Sequence, residues 1–233
     1  MVEADHMTSY YSERLSGERL QRCYELAPPG VQQYLESEIR HLLERIGPDD
    51  AVLELGCGYG RVSVHLAKRA KRVVGVDVSE ESLTLARALA GPDTRCEFLL
   101  MDALHMSFPD GSFDVVACIQ NGICAFGVSQ SALLCEALRV VRPGGLLVFS
   151  TYSDAFWADR LSWFELQSSE GLLGPIDHHA TGEGVIVCSD GFRSGTVSRS
   201  ELEELCRELG VTASITEVDG SSLFCEVIKP CAA

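Results

Sequence analysis

The chain has 233 residues, of which 46% are hydrophobic and 23% charged, the composition of a folded domain with a sizeable core. Its 34 acidic residues outnumber its 19 basic ones, for a net charge of −15, which disfavours nucleic acid as a partner. No apolar run approaches the roughly 20 residues of a membrane span, and residues 2–16 lack the apolar stretch of a signal peptide. We therefore expect a cytoplasmic protein that acts on a small molecule, without nucleic-acid or membrane partners.

Two helices are predicted before residue 50. The first covers residues 10–26 and ends at Pro28-Pro29-Gly30, and the apolar spacing of residues 31–46 predicts the second. Strands and helices then alternate up to residue 151. The predicted strands are 51–55, 72–77, 96–100, 113–119 and 145–151, and the predicted helices are 60–69, 80–90 and 129–141. Short, continuously apolar strands that alternate with helices indicate an α/β fold with an open, doubly wound, mostly parallel sheet.

The pattern changes after residue 151. Residues 155–166 predict an aromatic-rich helix, and segments 185–188 and 193–197 predict a hairpin. Ser198 and Glu201 have the spacing of a helix capping box, and strands near 213–219 and 222–229 follow. We therefore divide the chain into a helical cap (1–47), a core (48–151), an insertion (152–197) and a C-terminal helix and hairpin that complete the core (198–233).

The strongest local signal is a glycine-rich turn that follows the first predicted strand. Gly56, Gly58 and Gly60 alternate with other residues directly after an apolar run. Because glycine has no Cβ, a ligand can approach the backbone closely here. A dinucleotide-binding turn would have its third glycine three positions after the second, where this chain has Arg61. A nicotinamide dehydrogenase is therefore the less favoured interpretation.

Acidic residues follow the next two predicted strands. Asp77 ends the second strand, and its carboxylate offers enough acceptor sites to bind both hydroxyls of a ribose. Asp102 follows the third strand, where it can accept the exocyclic amine of adenine while the Ala103 N–H addresses a ring nitrogen. Ligands of such sheets bind at the carboxyl ends of the strands. The two acids thus predict an adenosyl pocket beside the glycine turn.

Several segments together resemble a known family. In chain order they are residues 54–60, 76–79, 102–103, 108–114 and 138–145. This ordered set resembles the motifs of class I S-adenosylmethionine-dependent methyltransferases over about residues 50–151. The resemblance implies a seven-stranded sheet with the last strand antiparallel, and a lid formed by the N-terminal helices and the insertion after the fifth strand.

The resemblance also implies S-adenosylmethionine as the cofactor and S-adenosylhomocysteine as the product, with no metal. The cofactor-binding residues that we predict are Glu54, Gly56, Cys57, Gly58, Gly60, Asp77, Val78, Met101, Asp102, Ala103, Ile119 and Gln120. Methyl transfer of this kind depends on holding the reactants in line, at about 3–3.5 Å. No catalytic residue is assigned from the sequence.

The methyl acceptor is less well specified. The acidic charge favours a neutral or cationic small molecule, so N-methylation is the first prediction. O- or S-methylation, including thiol or arsenic acceptors, and a protein that only binds the cofactor are the alternatives. The candidate acceptor-contacting residues are Tyr11, Asn121, Tyr152, Trp157 and His178. We expect a monomer or a homodimer.

The chain has ten cysteines, with neither a Cys-x-x-Cys pair nor a set of Cys and His at zinc-binding spacing. Most of them lie within or beside apolar runs. We therefore expect small buried thiols, although a thiol or arsenic acceptor would give some of them a role.

Overall fold

The computed structural model describes residues 10–92 and 94–231; the remaining residues of the predicted cap and C-terminal part lie outside this description. The strands are β1 Ala51–Leu55, β2 Arg72–Asp77, β3 Cys96–Leu100, β4 Phe113–Cys118, β5 Val141–Tyr152, β6 Ile186–Val187, β7 Arg193–Ser194, β8 Ala213–Val218 and β9 Ser222–Ile228. Seven of them form one sheet in the order β3-β2-β1-β4-β5-β9-β8. All its neighbouring strands are parallel except β9, which is antiparallel to β5 and β8. The predicted mostly parallel, seven-stranded sheet is confirmed.

The middle of this sheet is covered on both faces. Val52, Leu53, Val73, Val74 and Val116 are fully buried, and complete burial of such side chains contributes roughly 1.5–3 kcal/mol each. Since β1 and β4 are neighbours although not consecutive, the strand order reverses between them. Ligands of doubly wound sheets bind at such a reversal, outside the carboxyl ends of the strands.

Helices flank the sheet and precede it. They are α1 Gly17–Glu25, α2 Pro29–Leu43, α3 Ser63–Leu66, α4 Glu80–Ala90, α5 Gly122–Ala125, α6 Gln130–Val140, α7 Trp157–Ser169 and α8 Arg199–Glu208. The hairpin β6–β7 stands apart from the main sheet. No helix within residues 10–92 and 94–231 is long and apolar enough to cross a membrane.

The helix predicted over residues 10–26 is interrupted. Residues 10–13 are helical, but Ser16 is extended and Gly17 has φ +56°, so α1 begins anew at Gly17. The Ser16 hydroxyl donates to Glu81 at 2.9 Å, and the Gly17 N–H donates to the Ser82 hydroxyl at 3.0 Å. Residues 10–43, here called the N-terminal segment, are therefore attached at this break to the start of α4.

The helix predicted over residues 60–69 is also shorter than expected, since α3 covers only Ser63–Leu66. Hydrogen bonds of the i−3 type, such as His65 N to the Val62 carbonyl at 2.9 Å, alternate here with i−4 bonds. Such mixed bonding is typical of turns at helix ends rather than of a regular helix. Strand β5 begins at Val141, four residues before the predicted start.

The N-terminal segment and the insertion pack on each other. Their buried aromatic and aliphatic side chains form one apolar cluster, which includes Tyr10, Leu15, Val31, Tyr34, Trp163, Phe164 and Phe192. Hydrogen bonds also join them: the Trp163 indole N–H donates to the Cys23 carbonyl at 2.9 Å. Both segments therefore belong to a second core, separate from the apolar layers on the sheet.

Candidate functional site

The turn after β1 has all three of its glycines in the left-handed region, with φ of +68°, +52° and +81° at Gly56, Gly58 and Gly60. The N–H groups of Gly56 and Cys57 donate to the Val76 carbonyl at 2.9 and 3.0 Å. A Cβ on Gly56 would come within 2.9 Å of the Phe126 ring, and one on Gly58 within 3.0 Å of Leu20. Both the left-handed backbone and the nearby side chains therefore require glycine at positions 56 and 58. The backbone of the turn lies close to Phe126 and Leu20.

Asp77 lies at the end of β2, beside this turn. One of its carboxylate oxygens accepts the Gly58 N–H at 2.8 Å, and the other accepts the Ser79 N–H at 2.9 Å. Burial raises the pKa of Asp77, and the backbone N–H donors oppose that shift. Each oxygen keeps further acceptor capacity, so the carboxylate is positioned to take hydroxyl donors from a ligand.

A cavity lies between the glycine turn, the residues after β4 and the N-terminal segment. Many of the predicted site residues line it: Tyr11, Glu54, Gly56, Cys57, Gly58, Asp77, Val78, Met101, Ile119 and Gln120. These residues come from separate parts of the chain and meet because the carboxyl ends of β1, β2 and β4 share one edge of the sheet. The structure therefore brings together most of the predicted cofactor residues.

Glu54 is the buried acid of the cavity. It is 4% exposed and accepts a hydrogen bond from the Ser63 hydroxyl at the start of α3. Burial raises its pKa to about 7, against the effects of Ser63 and of the Arg61 guanidinium. A carboxyl group with this pKa exists in both protonation states near neutral pH.

Three predicted cofactor residues do not line the cavity. Gly60 packs against the core, where a Cβ would come within 2.9 Å of Ala86. The Asp102 side chain is 52% exposed; one oxygen accepts the Leu104 N–H at 2.9 Å and the other lies 2.9 Å from His105 Nδ1. Ala103 is buried in the main core. The adenine contacts of Asp102 and Ala103 stay predictions; both residues lie close in the chain to Met101, which lines the cavity.

Of the candidate acceptor residues, only Tyr11 lines this cavity. Tyr152 is buried against Tyr34 and Phe156, and Trp157 lines a separate hollow beside Arg160. The His178 side chain is 67% exposed. Acceptor contacts by Tyr152, Trp157 and His178 stay predictions, and the structure places these side chains apart from the glycine turn.

Asn121 belongs to an unusual turn after β4. Gln120 and Asn121 are both left-handed, with φ of +59° and +60°, which non-glycine residues adopt at a cost of about 1 kcal/mol each. Gln120 N donates to the Ser150 hydroxyl at 2.7 Å, while the Asn121 amide donates to the Gly195 carbonyl at 3.0 Å and accepts from Thr151 at 2.9 Å. Asn121 thus holds the turn in place, and Gln120 occupies the cavity wall.

Comparison with known proteins identifies the family. Residues 52–145 match a family model described as a methyltransferase domain. Over 197 residues, 73% of this chain and 79% of the relative, the chain is 30% identical to the putative methyltransferase YqeM of Bacillus subtilis. The chain belongs to the class I S-adenosylmethionine-dependent methyltransferases.

The chain is also similar in sequence to a longer relative and in fold to a solved structure. The chain is 35% identical over 188 residues to the 2-methyl-6-phytyl-1,4-hydroquinone methyltransferase of Synechocystis, a match that covers 70% of this chain but 58% of that enzyme. The DhpI complex with S-adenosylhomocysteine superposes with a TM-score of 0.67 at 21% identity, over 99% of this chain and 98% of the other. At this identity, the structural likeness shows the fold alone.

S-adenosylmethionine is the cofactor of this methyltransferase family, and the cavity fits it on two observations. Gly56 and Gly58 line the cavity without side chains of their own, and Asp77 keeps acceptor capacity for ribose hydroxyls beside them. In addition, the Gln120 amide nitrogen is buried without a hydrogen-bond partner, as expected of a group that binds a ligand or a water. Among the described residues, no three His, Cys, Asp or Glu side chains are grouped to hold a metal ion.

Several cavity residues of this methyltransferase were not predicted from the sequence. They are Ser12, Leu15, Leu20, Tyr24, Tyr59, Arg61, Val62, Val76, Ser79, Ser82, Gly122, Ala125 and Phe126. Tyr59, Arg61 and Ser79 are sequence neighbours of predicted residues, and this adjacency could have indicated that they line the cavity. Leu20 and Tyr24 come from α1, and no local sequence pattern relates that helix to the glycine turn.

Proposed function

We propose that this chain transfers the methyl group of S-adenosylmethionine to a small-molecule acceptor. The observation that carries the proposal is the single cavity that Asp77, the glycine turn and the strained turn at Gln120 form together. Asp77 supplies acceptors for ribose hydroxyls, and the glycine turn supplies backbone that carries no side chains. Gln120 supplies a polar group at the end of β4.

Asp77 would hold the ribose hydroxyls, and the apolar side chains of Val78 and Met101 would flank the adenine. Gly56 and Gly58 would lie against the methionine portion. When bound, the cofactor supplies a methyl group already activated by its sulfonium, so the protein need only position the acceptor and exclude water.

Two side chains in the cavity suit acceptor positioning. The Gln120 amide has an unpartnered, buried donor, and the Tyr11 hydroxyl stays protonated because burial raises its pKa well above the usual value. Both can therefore donate hydrogen bonds to an acceptor at neutral pH. The N-terminal residues would act as the lid, since Tyr11, Leu15 and Leu20 line the cavity, and the insertion would support them from behind through the shared apolar cluster.

The atom that receives the methyl group belongs to the proposal as well. The net charge of −15 favours neutral or cationic acceptors and hence N-methylation, as predicted. The similar Synechocystis protein is named for a hydroquinone, which is not an amine, and so acceptors other than amines have equal weight in the acceptor screen. Cytoplasmic localisation and a monomeric or dimeric state likewise stay predictions.

Isothermal titration with S-adenosylmethionine, S-adenosylhomocysteine, adenosine and NADH tests the cofactor part. We expect the three adenosyl compounds to bind and NADH to bind at least tenfold more weakly. Asp77→Ala should weaken all three by about 1.5–3 kcal/mol, the range for charged hydrogen bonds, while the matched variant Asp49→Ala, at an exposed position, should not. Thermal melting of both variants checks their folding.

Tight binding of NADH, or unchanged S-adenosylhomocysteine binding by folded Asp77→Ala, would contradict the proposed site. The transfer itself is tested by release of S-adenosylhomocysteine in the presence of amine, phenol, thiol and arsenite acceptors. If the cofactor binds but no acceptor in a broad set yields product, the alternative of a binding-only protein is favoured.

A further inference from the structure

Arg61 is the basic residue among the described residues that line the cavity, and part of its guanidinium has no partner there. Its guanidinium carbon lies over the Tyr24 ring, 4.8 Å from the ring centre, within the range of a cation–π contact. Its Nε and Nη2 atoms are buried, and neither has a hydrogen-bond partner among residues 10–92 and 94–231. Buried donors of this kind are nearly always satisfied in native proteins, which indicates that a ligand group or a water completes the site.

The two unpartnered nitrogens are a specific pair. Nε–H and Nη2–H point in parallel from one edge of the planar guanidinium, and this edge matches the two oxygens of a carboxylate. A phenol or an amine could not fill both positions at once. The free edge of Arg61 therefore selects a planar, bidentate anion.

No protein carboxylate in the described residues takes that position. Two buried acids, Glu54 and Glu38, interact electrostatically with Arg61, and the guanidinium stabilises the charged form of each. Neither forms an ion pair with Arg61, and burial raises the pKa of both carboxyl groups to about 7. The positive charge of Arg61 is thus only partly compensated, and an incoming carboxylate would be attracted.

The location of Arg61 suggests the source of the carboxylate. Glu54 interacts electrostatically with both Arg61 and Asp77, and Arg61, which directly follows the glycine turn, lines the same cavity as the ribose-binding acid. S-adenosylmethionine carries its ribose hydroxyls and its α-carboxylate on opposite sides of the sulfur. We propose that Arg61, held by Tyr24, binds the α-carboxylate of the cofactor's methionine portion through Nε and Nη2. This inference rests on the proposed function.

Isothermal titration with S-adenosylmethionine and its decarboxylated analogue tests the assignment, because the two ligands differ only in that group. The wild type should bind the parent compound roughly 10- to 100-fold more tightly, the range that corresponds to a charged hydrogen-bonded pair. Arg61→Met keeps the apolar stem against Tyr24 and should lose this preference, with the affinity for the decarboxylated analogue unchanged. Arg61→Lys should keep only part of this preference, because an ammonium group cannot donate two parallel hydrogen bonds to a carboxylate as a guanidinium does.

Arg22→Met is the matched control. Arg22 lies on α1 near the same region, is half exposed and pairs with Glu25, so its loss should change neither affinity. If Arg61→Met weakens both ligands equally, Arg61 supports the fold of the cavity and the inference is wrong. If it weakens neither, the carboxylate binds elsewhere and the inference is also wrong. If the wild type binds neither ligand, the proposed function fails first.

Discussion

The carboxyl ends of the parallel strands, here called the sheet edge, and the insertion position their polar residues by different interactions. At the sheet edge, the glycine turn and Asp77 are positioned by backbone groups of adjacent parallel strands, above fully buried aliphatic side chains. In the insertion, the hairpin β6–β7 has only short strands. Buried polar side chains bind backbone carbonyls of this region: Arg160, from the insertion itself, donates to Ser194, and Asn121, from the turn after β4, donates to Gly195.

This contrast bears on how each region tolerates change. Apolar burial is spread over many side chains, so the loss of one contact removes a fraction of the total. A polar side chain that satisfies several carbonyls concentrates the free energy at one residue, and its removal leaves those carbonyls buried and unpaired. We therefore expect the insertion to be more sensitive to single substitutions, although it lies further from the cofactor.

The largest effect is expected from Arg160→Met. Arg160 is 1% exposed, donates to the carbonyls of Gly184, Ser194 and Gly195 at 2.8, 2.6 and 3.2 Å, and lies 4.4 Å from the centre of the Tyr152 ring. Its replacement leaves those carbonyls without a donor, so the free energy of unfolding should fall by about 3 kcal/mol or more. Urea unfolding measures the loss, and hydrogen exchange should show lost protection in β6–β7 before the main sheet.

Arg193→Met provides the comparison within the same hairpin. Arg193 is exposed, so its replacement should change the free energy of unfolding by less than about 0.5 kcal/mol. Equal losses for the two variants, or protection lost first in β1 and β4, would show that Arg160 does not hold the hairpin.

A smaller effect is expected at Asn121, which joins the strained turn to the insertion. Asn121→Gly keeps the left-handed backbone and removes the bonds to Gly195 and Thr151, a loss of about 1–3 kcal/mol. Asn121→Ala should cost about 1 kcal/mol more, because alanine resists the left-handed conformation. Urea unfolding of both variants separates the two contributions.

Glu183 provides a matched control for the free-energy cost of the left-handed backbone, since it is also left-handed, with φ +49°, but is exposed. Glu183→Gly should leave stability unchanged or raise it by up to about 1 kcal/mol. If Asn121→Gly behaves like Glu183→Gly, the amide bonds of Asn121 contribute nothing to the turn.

The same contrast explains which features were predictable from the sequence. The strands were evident because continuous apolar runs need no knowledge of distant partners, and Asp77 because it ends such a run. The break at Gly17 was not predictable, since Ser16 and Gly17 bond to Glu81 and Ser82, some 65 positions along the chain. Arg61 served only to exclude a dinucleotide turn; its place in the cavity depends on Tyr24, from a helix before the first strand.

Glu38 tests whether a buried charge limits the stability of the sheet side. This acid of α2 is fully buried, and burial raises its pKa to about 7, with Ser150 and Ser222 opposing the shift. A raised carboxyl pKa means that the folded state binds the proton more tightly than the unfolded state, so stability falls as pH rises from about 5 to 8. In Glu38→Gln, the decline over this interval should be smaller by about 1–2 kcal/mol.

Thermal and urea unfolding at pH 5.5 and pH 8 measure that difference. Glu201→Gln is a useful comparison, because the pKa of Glu201 is lowered by its hydrogen bonds with Ser198, and its charge is already present throughout this interval. An identical pH dependence in wild type and Glu38→Gln would show that Glu38 does not titrate in this range.

The smallest effect is expected where the N-terminal segment meets the insertion. The Tyr10 hydroxyl donates to Asp190 at 2.7 Å, and the same carboxylate accepts the Gly174 N–H at 3.0 Å. Tyr10→Phe keeps the ring against Phe192, 5.0 Å away between centroids, and removes only the hydroxyl. The free energy of unfolding should fall by about 1 kcal/mol, whereas Asp190→Ala should lose more, since the turn around Gly174 depends on it too. If Tyr10→Phe lost as much as Arg160→Met, the contact between the two segments, rather than the buried guanidinium, would be what stabilises the insertion.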